Sequence, residues 1–182
     1  VTLEDARDSA IDLLRASGAE KIDHPGGDLF HHLVHTEQIL RTWREDDTVC
    51  LAGLCHAFYG TAGFPTALLS LDDRDTLRAV IGVDAETLVY EYGSCDRRAT
   101  YPALGSDSVA FVDRFTGATT KMRSDDLRGF AVISIANELD IVRAVAFDEE
   151  SAAGIRRLCA ALAPHAPAAA RVALKELADH HV

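Results

Sequence analysis

Apolar residues recur at helical spacing along most of this chain, and a single stretch alternates with the period of two that a strand needs. That contrast restricts the fold to helices packed on helices with one β excursion. Leu3, Ala6, Ala10, Leu13 and Leu14 mark an amphipathic helix over 3–17, stopped by Gly18. His24-Pro25-Gly26-Gly27 reads as a loop. Asp28 is positioned to cap a helix running to about Trp43, and Asp47 or Thr48 starts the next, which ends near His56. A turn-rich connection over 60–66 leads to helices over 72–81 and 84–93, with Gly82 between them and Asp84 as N-cap. The run VAFVDRF, then Thr116-Gly117, then ATTKM predicts a β-hairpin over 108–122. Ser124 with Asp125 and Asp126 opens a long helix to about Phe147, and two more follow near 149–162 and 167–181. The expected fold is all-α, a helical bundle with one small β-hairpin in a single domain over 1–182.

Charge narrows the partners. The chain carries 18 Lys+Arg against 29 Asp+Glu, a formal charge of −11. That sign repels phosphate backbones, so no nucleic acid and no membrane is expected as partner. A small-molecule ligand is the expected partner, because a local arginine pocket can oppose the global field. A homodimer is left open. No apolar run approaches the ~20 residues of a membrane span. The first residues carry acids where an export signal carries bases, so a cytoplasmic location is expected. Lys21, Lys121 and Lys175 are the only lysines, an arginine excess that with the Ala-rich C-terminal stretch suggests a GC-rich bacterial genome. Cys50, Cys55, Cys95 and Cys159 form no C-x-x-C pair, and buried thiols in a reducing compartment are expected.

Histidine is the residue type that points to chemistry, with five of eight lying between 24 and 56. His32, Thr36, Ile39, Leu40 and Trp43 follow one helical face, so His32 is expected to point inward. His31 and His35 are four apart and could clamp a metal, or could be half-exposed surface residues. His56 ends the apolar run Val49-Cys50-Leu51-Ala52-Gly53-Leu54-Cys55 and must find a partner to offset desolvation. Two helices that each present an inward histidine make half a metal site.

The segment HLVHTEQILRTWREDDTVCLAGLCHAFYGT, residues 32–61, resembles the metal-binding core of the HD-domain superfamily, and most of all the guanosine tetraphosphate hydrolase domain of stringent-response enzymes. His32 and His56 fall at that family's two histidine positions, with Ile39-Leu40 and Thr48-Val49 between them. Ser134-Ile135-Ala136-Asn137-Glu138-Leu139-Asp140 resembles the later helix that supplies the family's last ligand. The resemblance implies a divalent metal and hydrolysis of a phosphorylated or nucleotide-like substrate. Two departures stand out. Ala57 replaces the aspartate after the second histidine, and Asn137 replaces the last aspartate. Magnesium and manganese depend on such carboxylates, so iron or zinc is favoured if a metal binds, and a metal-free site is the other reading. His32, His56 and Asp140 would make a two-histidine-one-carboxylate set, the arrangement of non-haem iron oxygenases. Glu138 lies about 100° round a helix from Asn137 and is a poorer ligand. The block Ala52-Gly53-Leu54-Cys55-His56-Ala57-Phe58-Tyr59-Gly60-Thr61 with Phe64 also resembles small bacterial proteins of unknown function that share an A-G-L-x-H-x-x-Y-G-T-x-x-F pattern.

Other groups extend the candidate site. Tyr59 follows His56 by three, so the two share a face if the helix continues. His24 is expected to fold over the site as a ligand or acid/base, or to be an exposed turn residue. Asp96-Arg97-Arg98 is expected at a helix end, where Arg97 could hold an anionic group or the helix's own carbonyls. The candidates are therefore His24, His32, His56 and Tyr59 for catalysis, Arg97 and Asn137 for substrate, and His32, His56 and Asp140 for metal. Three functions fit: an enzyme with a degenerate HD-like site working through a metal or through histidine acid/base chemistry, an iron oxygenase, and a ligand-binding module without catalysis.

Overall fold

A computed structural model describes residues 2–104, 109–146 and 148–179. Oxygen-bearing side chains set where several helices begin. Thr2 and Asp5 form a reciprocal capping box on α1 (Leu3–Ala16). Asp28 accepts from the His31 backbone N–H at the start of α2 (Leu29–Thr42). Asp46 does the same for Val49 at the start of α3 (Asp47–Cys55), which begins at Asp47 as the sequence suggests. Gly82, with φ of 84°, separates α4 (Arg74–Ile81) from α5 (Val83–Ser94). No side chain caps α5, and Asp84 lies inside its first turn, where an acid suits the helix dipole. The expected helix end at Asp96-Arg97-Arg98 is instead a helix start. Asp96 accepts from the Ala99 N–H and opens the short α6 (Arg97–Thr100).

The hairpin forms as β3 (Ala110–Val112) and β4 (Thr119–Lys121), antiparallel, with Ala110 opposite Lys121. Asp113 ties its turn by accepting from the Phe115 and Thr116 N–H groups, and Gly117 takes a φ of 73°. Ser108, the expected first residue, lies outside the described residues. Three helices follow: α7 (Ser124–Ala144), α8 (Glu149–Leu162) and α9 (Ala168–Asp179). Arg123 precedes α7 without a side-chain cap, and the helix ends at Ala144, while Phe147 lies outside the described residues. The fold is all-α with small β elements, as the periodicity predicts. The loop expected at 24–27 contains a second two-stranded pairing, β1 (Asp23–His24) with β2 (Gly27–Asp28). Among the described residues no helix is long and apolar enough to cross a membrane.

α3 is the core element, with Val49 to Cys55 all buried and α1, α2, α5 and α7 packed around it. Each fully buried leucine there is worth about 1.5–3 kcal/mol. Gly53 makes the α2 approach feasible, since a Cβ at that position would collide with Leu40 Cδ1. All four cysteines are free and buried, and burial pushes the Cys50 and Cys159 thiols up to about 12. Two buried carboxylates pin the helices. Glu37 on α2 takes Arg7 from α1 at 2.7 Å and Arg41 at 2.6 Å. Glu86 on α5 takes Arg74 at 2.7 Å and Arg78 at 2.8 Å.

Candidate functional site

Three histidines from three elements meet at the inner ends of α2 and α3. His32 belongs to the buried face of α2 and is 3% exposed. Its Nδ1 lies 2.7 Å from Asp140 Oδ2 and its Nε2 lies 3.1 Å from Asn137 Oδ1. Asn137 and Asp140 are one turn apart on α7, so that helix grips the ring from both sides. His56 is the C-cap of α3 and is 2% exposed. Its Nδ1–H donates to the Gly53 carbonyl at 2.7 Å, which leaves Nε2 with the lone pair. The His32 and His56 rings meet edge to face with centroids 5.3 Å apart. His24 comes from β1 and stacks on His32, centroids 4.0 Å apart and planes 23° from parallel. The turn behind His24 is pressed against the end of α7, where a Cβ on Gly26 would collide with Ala144 Cβ.

His24 and His56 line a cavity of ≈ 280 Å³ that also holds Ala57, Arg97, Asn137 and Glu138. Burial, with the nearby His32 ring, pushes the His24 imidazole down to about 4, and the same two causes push His56 down to about 3. Both are therefore neutral bases at neutral pH. His24 Nδ1 is buried with no hydrogen-bond partner among the described residues. Arg97 leads α6 and lies against two rings, 5.6 Å from the Tyr92 centroid and 5.9 Å from that of Tyr101. Its Nη2 donates to the Tyr92 hydroxyl at 3.4 Å. No carboxylate pairs with it among the described residues. Gly63 leaves room for the guanidinium, since a Cβ there would sit 3.2 Å from Nη1. Glu138 accepts from Asn137 Nδ2 at 3.3 Å, and burial raises its carboxyl above the usual range.

The sequence-based site thus converges in part. His24, His56, Arg97 and Asn137 line the cavity, and His32 stands immediately behind. Glu138, set aside as a metal ligand for its angle on α7, lines it too. A charged residue inside the apolar run of α7 was the available signal for it. Tyr59 is a correction. α3 ends at Cys55, so the three-residue spacing from His56 no longer implies a shared face. The Tyr59 hydroxyl instead donates to Glu86 Oε1 at 2.9 Å, among the arginines of α4. His31 and His35 stay exposed, with Nδ1 atoms 2.7 Å from Asp28 and 3.4 Å from Asp140.

The expected metal sets do not fit these residues. His32 places both ring nitrogens against protein oxygens. Asp140 opens onto two outer depressions, of ≈ 390 and ≈ 240 Å³, while His56 faces the inner cavity. The trio His32, His56 and Asp140 is therefore not assembled around a common point. Among the described residues no group of three or more His, Cys, Asp or Glu is arranged to hold a metal ion.

Fold and cavity together define a helical protein with a partly open pocket lined by histidine, arginine and glutamate. Residues 13–97 match a family described as a domain of unknown function (DUF6817). That stretch contains His24, His32, His56 and Arg97 but stops short of α7. No curated protein and no solved structure matches the chain.

Proposed function

We propose that this protein is a small-molecule enzyme, a divergent relative of HD-domain hydrolases, that acts on a small anion by histidine acid/base chemistry without a resident metal. The observation that carries this reading is the pairing of Arg97, which forms no ion pair with a carboxylate among the described residues, with the open Nε2 of His56 in one cavity. Arg97 binds the anion, since a buried guanidinium gains most from a charged acceptor. His56 Nε2 accepts a proton from the bound molecule. Burial keeps His56 in its base form, and an anion held beside it raises its proton affinity when it is needed. Glu138, whose proton is held more tightly by burial, serves as the acid. His24 is a second base, aligned by the His32 ring beneath it. Proton transfer of this kind contributes about 10²–10⁴-fold in rate.

The HD relationship is supported by where its residues meet. His32, His56, Ala57 and Asn137 are the positions that the resemblance assigns to the metal centre, and they lie together. The His32–Asn137 contact occupies the ground that a metal would hold.

The test is turnover of a metabolite extract followed by mass spectrometry, with and without EDTA. We expect a small anion to be consumed equally in both, and not by His56→Asn. Consumption that EDTA abolishes and manganese restores would return the metal-dependent reading.

A further inference from the structure

The cavity's composition restricts its ligand further, and the argument rests on the reading of Arg97 as an anion-binding residue. We propose that the cavity takes a small carboxylate with an apolar body and discriminates against phosphate esters and nucleotides. Charge is the first ground. Arg97 is the one Arg or Lys lining the cavity among the described residues, and Glu138 stands in the same wall. One guanidinium balances one singly charged ligand. A phosphate dianion would leave about one charge uncompensated in a partly desolvated cleft, which is costly.

Shape is the second ground. The Tyr92 and Tyr101 rings lie against the guanidinium, and Gly63, where a Cβ would crowd Nη1, lets the chain pass close to it. A planar guanidinium fork matches the two oxygens of a carboxylate. Size and polarity are the third. At ≈ 280 Å³ the cavity lies at the small end of the roughly 300–1,000 Å³ usual for ligand sites. Phe64, Ile141 and Ile155 supply apolar wall in the same cavity, suited to a short hydrocarbon or aromatic body.

The test is calorimetric titration of the full chain with benzoate, inorganic phosphate and guanosine monophosphate. Wild type is expected to bind benzoate at least about tenfold more tightly than either phosphate compound. Arg97→Lys keeps the charge but loses the fork, and should weaken benzoate by about tenfold or more. Ile155→Trp adds bulk to the cavity wall from α8 and leaves the Arg97 side chain in the sequence, and should abolish binding even if the Arg97 variant fails to fold. Tighter binding of phosphate or guanosine monophosphate, still lost in Ile155→Trp, would overturn the carboxylate class and leave the anion site standing. Binding of no anion by folded wild type, or binding unchanged by Arg97→Lys and Ile155→Trp, would overturn both.

Discussion

His32 keeps neither ring nitrogen for a ligand, and that single fact separates this site from a metal centre built on the same positions. Its role is to hold His24 by stacking and to stand behind His56. Asp140 is the residue that orients it. Two single changes test the residue-level account. Gly26→Ala adds a Cβ that collides with Ala144, at a φ of 88° where a side chain is already strained. We expect it to cost about 1–3 kcal/mol. The His24 resonances should shift while the rest of the histidine NMR spectrum stays, and an unchanged His24 would contradict the seating of that turn. Tyr59→Phe removes a hydrogen bond to Glu86 and should cost about 0.5–1.5 kcal/mol in urea unfolding. Benzoate affinity should not change, because Tyr59 lies away from the cavity; a loss of affinity would restore it to the site.

Elements show which parts of the molecule the sequence could announce. Helix boundaries were legible where an aspartate sits beside backbone N–H groups that lack partners, as at Asp28. The hairpin was legible because strand alternation is interrupted by Thr116-Gly117, which is local turn chemistry; the part Asp113 plays in tying the turn appears only in the structure. The β1–β2 pairing was not, because it depends on the end of α7 pressing against Gly26. Tyr59 was misread because its partner Glu86 lies on another helix, and no spacing announces that contact. His32, His56 and Asn137 were found through a family pattern, whereas Glu138 becomes visible once α7 is packed. The buried carboxylates give an element-level prediction. Glu37→Gln weakens the tie between α1 and α2, and should cost about 3 kcal/mol, the low end for a broken buried pair, because Arg7 and Arg41 keep partial access to water. Hydrogen exchange should rise most in α1. Protection of α1 equal to wild type would show that apolar packing alone holds it.

Titration of the buried groups sets the pH response of the whole molecule. His24 and His56 are held at about 4 and about 3, below the imidazole value near 6.5 that the unfolded chain keeps. Between those limits the unfolded chain binds more protons, so the stability that these groups leave intact above about pH 6.5 falls as the pH drops towards 4. Burial works against the charge of Glu37 and Glu86, but the paired arginines outweigh it and hold both carboxyls low. Their contribution is full above about pH 4.3 and is lost at lower pH. Acid unfolding should therefore begin before the carboxylates titrate, and His56→Asn should flatten the slope between pH 6.5 and 4. A wild-type stability that is level down to pH 5 would contradict neutral buried histidines.

The most direct measurement is manganese binding by electron paramagnetic resonance, comparing wild type with the double variant Ala57→Asp and Asn137→Asp. The variant returns two anionic oxygens to the positions that face His32 and His56. Hard divalent ions depend on such ligands. We predict one manganese per chain in the variant, held at least about 100-fold more tightly than in wild type. A tight stoichiometric manganese in wild type, or no gain in a folded variant, would contradict the view that these residues descend from a metal centre and now work without one.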